Sequence, residues 1–390
     1  MENFEFCSPT KIYFGKDKEN SVGEIIKSYG FKKILFHYGK SSIFKTGLYE
    51  KVVNSLNENN IQFIELGGVE ANPDITLVRK GVEICKSEGI DFILAVGGGS
   101  VLDSSKSIAA GTYYEGNPLD FNMKKATPKK ALPVGAILTI AAAGSELSTS
   151  CVISDRSIQF KKGFNSQLNR PLFVIENPEL TNTLPFYQVG CGIVDIIAHT
   201  LERYFNKSQE IEFADYIAEG LLKSVIDSSE VILKDPYNYD ARATLMLASS
   251  FSHNGLTSIG KEGKMPVHQL EHELSALKDH VAHGAGLAVL IPSWMEKVWE
   301  KDKEKFKKFA LNVMRVTNYE DDEDLIIKGI YRLQDLFVRL DMPRKLSEFG
   351  INEEDVEVMA NRLTNNGTVV YDCSFPMDKK LVLDIYYHCL

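Results

Sequence analysis

The first half of the chain contains the stretch Asp91-Phe-Ile-Leu-Ala-Val-Gly97-Gly98-Gly99-Ser100-Val-Leu-Asp103-Ser-Ser-Lys106. Its apolar run predicts a buried strand, and the three glycines predict a tight turn into a helix. Glycines let backbone N–H groups approach a phosphate closely, and the helix dipole favours an anion there. The stretch has neither the Walker pattern nor G-x-G-x-x-G. A simple strand-to-helix turn is the alternative, but three consecutive glycines after an apolar strand favour a pyrophosphate-binding loop.

Outward from this stretch, apolar and amphipathic segments alternate along the first half of the chain. Strands are predicted at 33–37, 61–66, 91–96 and 172–175, and helices at 46–57 and 75–87. This alternation predicts a Rossmann-like parallel sheet with helices on both faces.

After Asn177-Pro178 the periodicity becomes mainly helical, with helices predicted at 193–205, 212–233, 241–252 and 321–339. We therefore predict an α/β dinucleotide-binding domain at 1–182 and an all-helical metal-binding domain at 183–390. A ligand is expected in a cleft between them.

The bulk composition restricts the class of partner. The 390 residues carry a formal net charge of -9, which disfavours nucleic acid and anionic membranes as partners. None of the six cysteines has C-x-x-C spacing, and no signal peptide or apolar run of about 18 residues is present. We expect a cytoplasmic protein that acts on a small molecule.

Two histidine-bearing stretches in the second half predict a metal site. Asp195 and His199 are four residues apart, as are His268 and His272, so each pair lies on one helix face. Four of the eight histidines lie between His268 and His283. One carboxylate with several imidazoles is a ligand set for a divalent transition metal.

Other interpretations of these residues were weighed. The stretch His268-Gln-Leu-Glu-His272 is similar to the H-E-x-x-H of zinc proteases, but Gln269 replaces the essential glutamate. A histidine-lined, pH-sensitive interface is a further alternative.

The segment after the strand at 33–37 bears on the choice of cofactor. Gly39-Lys40-Ser41-Ser42 offers a lysine and no acid, which predicts NADP(H) over NAD(H), and a plain surface turn is the alternative.

The chain resembles the iron-containing (group III) alcohol dehydrogenases over nearly its full length, and in particular the branch of NADPH-dependent butanol dehydrogenases and aldehyde reductases. The resemblance is carried by Asn3-Phe-Glu-Phe6, Tyr38–Gly47, Gly67-Gly-Val-Glu-Ala-Asn-Pro73, Ala95–Asp103, Gly144-Ser-Glu146, Thr183-Leu-Pro185, His272-Glu-Leu-Ser-Ala276 and His283-Gly284.

The resemblance implies roles for individual residues. The metal, Fe(II) or Zn(II), would be bound by Asp195, His199, His268 and His283, and His272 would face the substrate and nicotinamide. The dinucleotide would contact Gly39, Lys40, Ser41, Ser42, Asn72, Gly97, Gly98, Gly99, Ser100, Asp103, Thr139, Ser148 and Lys162. The loop before His283 is one residue longer than is usual and carries His280, which could compete as the fourth ligand. In Ala141-Ala-Ala-Gly-Ser-Glu146, alanine replaces the Pro or Thr common in the family.

The implied reaction is reversible hydride transfer between NADP(H) and a primary alcohol or aldehyde such as butanol and butanal, with the metal as Lewis acid. A homodimer is also implied. Within the same fold, an NAD-dependent polyol (glycerol-type) dehydrogenase and a dehydroquinate-synthase-like lyase are alternatives. A metal- and nucleotide-binding sensor without turnover is an alternative from another class.

Overall fold

A computed structural model describes residues 3–206, 211–261 and 264–390. The chain divides into two compact units. The first is Cys7–Leu184, and the second is Pro185–Leu390 together with the N-terminal residues up to Phe6. The N-terminal residues before Cys7 therefore group with the helical unit, whereas the sequence analysis placed them in the α/β domain.

The first unit is built on a parallel sheet, which confirms the predicted fold class. Its strands are β1 Lys11–Phe14, β2 Lys33–Tyr38, β3 Gln62–Leu66, β4 Phe92–Gly97, β5 Val134–Leu138, β6 Ser150–Asp155, β7 Phe160–Asn165 and β8 Phe173–Glu176. Six of them pair in the order β1-β8-β5-β4-β2-β3, all parallel, while β6 and β7 form a separate antiparallel hairpin. The four predicted strands are present, whereas β1, β5 and the hairpin were not predicted.

Helices connect the strands of this unit: α1 Val22–Ser28, α2 Ser42–Lys45, α3 Leu48–Glu58, α4 Ile75–Glu88, α5 Gly99–Thr112 and α6 Leu119–Asn122. Helix α4 is capped at its N-terminus by Asp74, whose side chain accepts from the backbone N–H of Thr76 (2.8 Å), and at its C-terminus by Gly89 in the left-handed conformation. The apolar face of α3, including Val52 and Leu56, packs in one cluster with Phe36 and Phe92 of the sheet. This burial holds the helices against the sheet.

The strand order reverses direction beside the glycine loop. The chain passes from β2 outward to β3 and then returns to β4 on the other side of β2. His37 is in register with Ala95, and Tyr38 with Val96. Gly39 and Gly97 consequently leave the carboxyl edge of the sheet side by side. Ligands of open α/β sheets bind at such a reversal point.

The second unit is helical, as predicted. Its helices are α7 Phe186–Tyr204, α8 Glu212–Ile232, α9 Tyr239–Ser252, α10 Pro266–Leu277, α11 His283–Val298, α12 Lys303–Lys308, α13 Asp322–Arg339, α14 Glu353–Thr364 and α15 Lys379–His388. Helix α7 is buried almost all round from Val189 to Tyr204 and packs against both α8 and α11. A search of the described residues finds no helix that is long and apolar enough to cross a membrane.

Candidate active site

Asp195 and His199 occupy the same face of the buried helix α7. Nε2 of His199 lies 3.3 Å from Oδ1 of Asp195, and both side chains are almost fully enclosed. The four-residue spacing places them one turn apart, and the apolar residues around them bury that turn. The helix therefore supplies one carboxylate and one imidazole to the same point.

Two further helices bring imidazoles to this carboxylate. Nε2 of His268 on α10 lies 3.6 Å from Oδ1 of Asp195, and Nε2 of His283 at the start of α11 lies 3.9 Å from it. Donor atoms bound tetrahedrally at about 2.1 Å from one ion are roughly 3.4 Å apart. Three of the four residues expected to be ligands, Asp195, His199 and His268, thus converge at the spacing of a metal site, and His283 lies slightly further from the carboxylate.

The same atoms lack other partners. Among the described residues, Oδ1 of Asp195 and Nε2 of His268 are buried polar atoms without a hydrogen bond. Leaving such atoms unpaired in the interior is unfavourable, typically by about 1–3 kcal/mol each. A divalent cation would satisfy both atoms, so this donor set fits the metal that the sequence predicts.

Two glutamates that the sequence analysis missed contact the outer nitrogens of these imidazoles. Nδ1 of His268 donates to Glu202 on α7, and Nδ1 of His283 donates to Glu271 on α10. Each glutamate lies three residues after a predicted ligand, His199 or His268, which is a helical spacing that could have indicated them.

The pKa values of the imidazoles at this site are shifted in opposite directions. Burial, with smaller contributions from His253 and His268, lowers the pKa of His199 well below its ordinary value. Burial also acts to lower the pKa of His268, but Glu202 and Asp195 outweigh it and raise the pKa to about 9. His253, another residue that the sequence analysis missed, stacks on His199 with ring centroids 4.0 Å apart.

His272 and His280 lie differently. His272 is buried, and its ring centroid is 5.8 Å from that of His283. His280 is exposed in the turn after α10. Among the described residues, the side chains that could hold a metal ion form two groups, Asp195, His199 and His268 in one and Glu271, His272 and His283 in the other. His280 belongs to neither group.

The glycine loop of the α/β unit joins β4 directly to α5. Gly97 is the last residue of β4, Gly98 precedes the helix, and Gly99 and Ser100 lie in its first turn. A Cβ on Gly98 would lie only 2.4 Å from Cγ2 of Ile140. Glycine is therefore required for the close approach of this turn, which leaves backbone N–H groups at the N-terminus of α5.

The surroundings of Lys40 correct the sequence argument. No acidic residue follows β2 in the sequence, but the loop after β3 places Glu70 against Lys40, with 2.5 Å between Oε1 and Nζ. The other oxygen of Glu70 is 3.1 Å from the guanidinium of Arg156. The cluster of Lys40, Arg156 and Glu70 thus combines two cations with one anion.

The remaining predicted cofactor residues are spread over the α/β unit. Ser41 and Ser42 begin α2, Asn72 is buried with a positive φ, and Thr139 follows β5 and donates its N–H to the carbonyl of Gly97. Lys162 is exposed on β7. A contact of each with the dinucleotide stays a prediction.

Asp103 and Ser148 are already engaged within the unit. The carboxylate of Asp103 accepts from the hydroxyl of Ser145 (2.7 Å) and from the N–H of Val152 (2.9 Å). The hydroxyl of Ser148 is fully buried and accepts from the N–H of Ser150 (2.8 Å). Through these hydrogen bonds, the two side chains stabilise the loop that precedes β6.

The glycine turn at the sheet reversal and the buried carboxylate with its imidazoles fit a class of proteins that pair a nucleotide with a metal ion. Comparison with known protein families identifies the family to which this chain belongs. The model of the iron-containing alcohol dehydrogenases matches residues 9–178, and the C-terminal model of the same family matches residues 191–389. The chain belongs to the iron-containing alcohol dehydrogenase family, which confirms the resemblance found in the sequence.

Similar relatives include butanol dehydrogenases and an aldehyde reductase. The chain is 40% identical to NADH-dependent butanol dehydrogenase A of Clostridium acetobutylicum, over 99% of both chains. It is 34% identical to NADPH-dependent aldehyde reductase YqhD of Escherichia coli, over 94% of both. The crystal structure of NADH-dependent butanol dehydrogenase A from Thermotoga maritima superposes with a TM-score of 0.94 at 36% identity, covering 100% of this chain and 99% of the other.

Proposed function

We propose that this protein is an NADP(H)-dependent, metal-dependent alcohol dehydrogenase that reduces aldehydes such as butanal to primary alcohols, reversibly. The observation that carries the proposal is the convergence of three imidazole nitrogens on Oδ1 of Asp195, within 3.9 Å. The names of the relatives, which are butanol dehydrogenases and an aldehyde reductase, support the substrate class.

In this proposal Asp195, His199, His268 and His283 hold one divalent ion, Fe(II) or Zn(II). When bound there, such an ion would supply Lewis acidity to a substrate carbonyl, and a reduced nicotinamide would supply the hydride. The chain itself supplies position and enclosure. Asp195 and His268 are no more than 4% exposed, so water is kept from most of the donor set and charge interactions there are strong.

The α/β unit is proposed to hold the dinucleotide. Its pyrophosphate would lie at the N-terminus of α5, where the backbone of Gly97, Gly98, Gly99 and Ser100 offers N–H groups. The 2′-phosphate of NADP(H) would lie by Lys40 and Arg156, whose two positive charges exceed the single charge of Glu70. The cavity that Glu70 and Arg156 line also contains Arg79 and Lys80, whose charges are offset by those of Asp74 and Asp155.

We propose His272 as the residue that relays a proton to the product. It is buried beside the donor set, with its ring 5.8 Å from that of His283. His272→Ala should lower kcat and alter its pH profile while leaving the metal content intact. An unchanged kcat and pH profile would remove His272 from the mechanism.

The central test is steady oxidation of NADPH by butanal. Activity should be lost on treatment with a chelator and restored by Fe(II) or Zn(II). Faster turnover with glycerol and NAD⁺ would favour the polyol dehydrogenase alternative. Metal and nucleotide binding without turnover of any alcohol or aldehyde would favour the sensor. The expected homodimer and cytoplasmic location stay predictions, and light scattering on the purified chain tests the first.

A further inference from the structure

We propose that Glu271 and Glu202 are positioning residues of the metal site, which fix His283 and His268 with Nε2 towards the ion. Nothing in the sequence motifs or in the comparisons assigns a role to either glutamate. The inference deepens the metal-binding part of the proposed function and rests on it.

The hydrogen bonds set the orientation of both rings. An imidazole that donates from Nδ1 to a carboxylate keeps its lone pair on Nε2, which makes Nε2 the ligand atom and increases its basicity. Glu271 accepts from Nδ1 of His283, and Glu202 accepts from Nδ1 of His268. In both residues Nε2 is the nitrogen that faces Asp195.

The two glutamates are themselves held in place. The other oxygen of Glu271 accepts from the hydroxyl of Ser275 one turn further along α10, and the other oxygen of Glu202 accepts from the backbone N–H of Val267. Both carboxylates are fully buried. A buried carboxylate whose two oxygens both accept hydrogen bonds has a fixed orientation, and it therefore fixes the orientation of the imidazole ring that it contacts.

The experiment measures metal affinity, not turnover. Zn(II) is titrated into the metal-free full-length chain in competition with a chromophoric chelator, for the wild type and for Glu271→Ala, Glu271→Gln, Glu202→Gln and Ser275→Ala. Glu271→Ala should weaken binding by about 10–100-fold. Glu271→Gln, which keeps an acceptor but loses the charge, should lie between Glu271→Ala and the wild type. With Co(II), the visible absorption of Glu271→Ala should differ from that of the wild type because His283 is no longer held.

Glu273→Gln is the matched control. Glu273 lies two residues after Glu271 on the same buried helix, hence towards another face, and its substitution removes the same charge. The Glu273→Gln variant should bind Zn(II) as tightly as the wild type does. Thermal unfolding of the metal-free variants shows whether each is folded, and Glu271→Gln preserves the volume of the side chain if Glu271→Ala does not fold.

Three outcomes would overturn the inference. Equal Zn(II) affinities for the wild type and for the Glu271 and Glu202 variants would show that the imidazole rings need no positioning. A loss of Zn(II) affinity in Glu273→Gln as large as that in Glu271→Gln would show that the effect comes from net charge alone. Two ions per wild-type chain, one of them lost in Glu271→Gln, would make Glu271 a ligand of a second ion. A wild type that binds no metal would instead overturn the proposed function together with the inference.

Discussion

Gly284 packs directly on the backbone of Cys191, so that a Cβ at Gly284 would lie 2.1 Å from the carbonyl oxygen of Cys191. This contact brings the first turn of α11 against α7 four residues before Asp195. His283, the neighbour of Gly284, thereby reaches Asp195, with 3.9 Å between Nε2 and Oδ1. The close approach of two helix backbones is what delivers the last imidazole to the site.

Gly284→Ala should therefore damage the metal site. The added methyl group meets a backbone atom that cannot move alone, so α11 must shift, at a cost of about 1–3 kcal/mol in the free energy of unfolding. Metal affinity should fall with it because His283 moves too. Urea unfolding and Zn(II) competition measure both effects.

Gly220→Ala is the control for this substitution. A Cβ at Gly220, inside α8, would have no atom within 4 Å. Alanine there should be neutral or stabilising by up to about 1 kcal/mol, with normal metal affinity. If both variants behaved alike, the contact with Cys191 would not be what positions His283.

The choice between His280 and His283 as the fourth ligand can be tested by single substitutions. His283→Ala should weaken metal binding strongly because it removes an imidazole and takes away one of the donors to the buried Glu271. His280→Ala should leave binding unchanged because His280 is exposed in a turn. Metal content after dialysis against a chelator separates them, and a larger loss in His280→Ala would reverse the assignment.

His37 predicts a pH dependence of stability. It is fully buried between β3 and α5, with Nδ1 2.6 Å from the carbonyl of Leu66 and Nε2 2.8 Å from the hydroxyl of Ser104. Burial lowers the pKa of His37 from 6.5 to about 4. Because the unfolded chain binds the proton first, the stability that His37 contributes is complete above pH 6.5 and is lost as the pH falls towards 4.

The size of this effect follows from linkage. Relative to His37→Gln, the wild type should lose about 2 kcal/mol of unfolding free energy between roughly pH 7 and about pH 5. Urea unfolding of both proteins at the two pH values measures the difference. A difference that is independent of pH would show that His37 binds its proton equally well in the folded and unfolded chains, so that burial does not lower its pKa.

The contact of Lys40 with Glu70 predicts how cofactor preference responds to charge. Both side chains are largely exposed, at 63% and 43%, so the pair is screened and weak. Glu70→Gln frees Lys40 and Arg156 for a 2′-phosphate and should raise the ratio of kcat/KM for NADPH to that for NADH by about fivefold, which corresponds to about 1 kcal/mol.

Lys40→Gln should lower the same ratio by a similar factor. Lys45→Gln serves as the control because Lys45 is an exposed lysine in the neighbouring helix α2 and loses the same charge. A ratio that responds equally to Lys40→Gln and Lys45→Gln would reflect overall charge and not a phosphate contact. An unchanged ratio in Glu70→Gln and Lys40→Gln would place the adenosine ribose elsewhere.

The sequence was sufficient wherever the information is local. Strand β4, its glycine turn and α5 follow from one apolar run and three glycines, and the spacing of Asp195 and His199 places them on one helix face. Strand β1 escaped prediction because it is a short edge strand that starts with Lys11. Strand β5 contains Gly135, which a helix or a turn could equally contain, and is a strand here because its neighbours in the sheet enclose it.

Tertiary structure alone decided the contacts between distant segments. The packing of α7, α10 and α11 determines which nitrogens face Asp195 and places Glu202 and Glu271 behind them. The loop after β3 brings Glu70 to Lys40, thirty residues earlier in the chain, and so supplies the acid that the sequence after β2 lacks. Helical and strand periodicities specify which face of an element a side chain occupies. Which other element covers that face depends on how closely two backbones can approach each other, and the contact between Gly284 and Cys191 is an example.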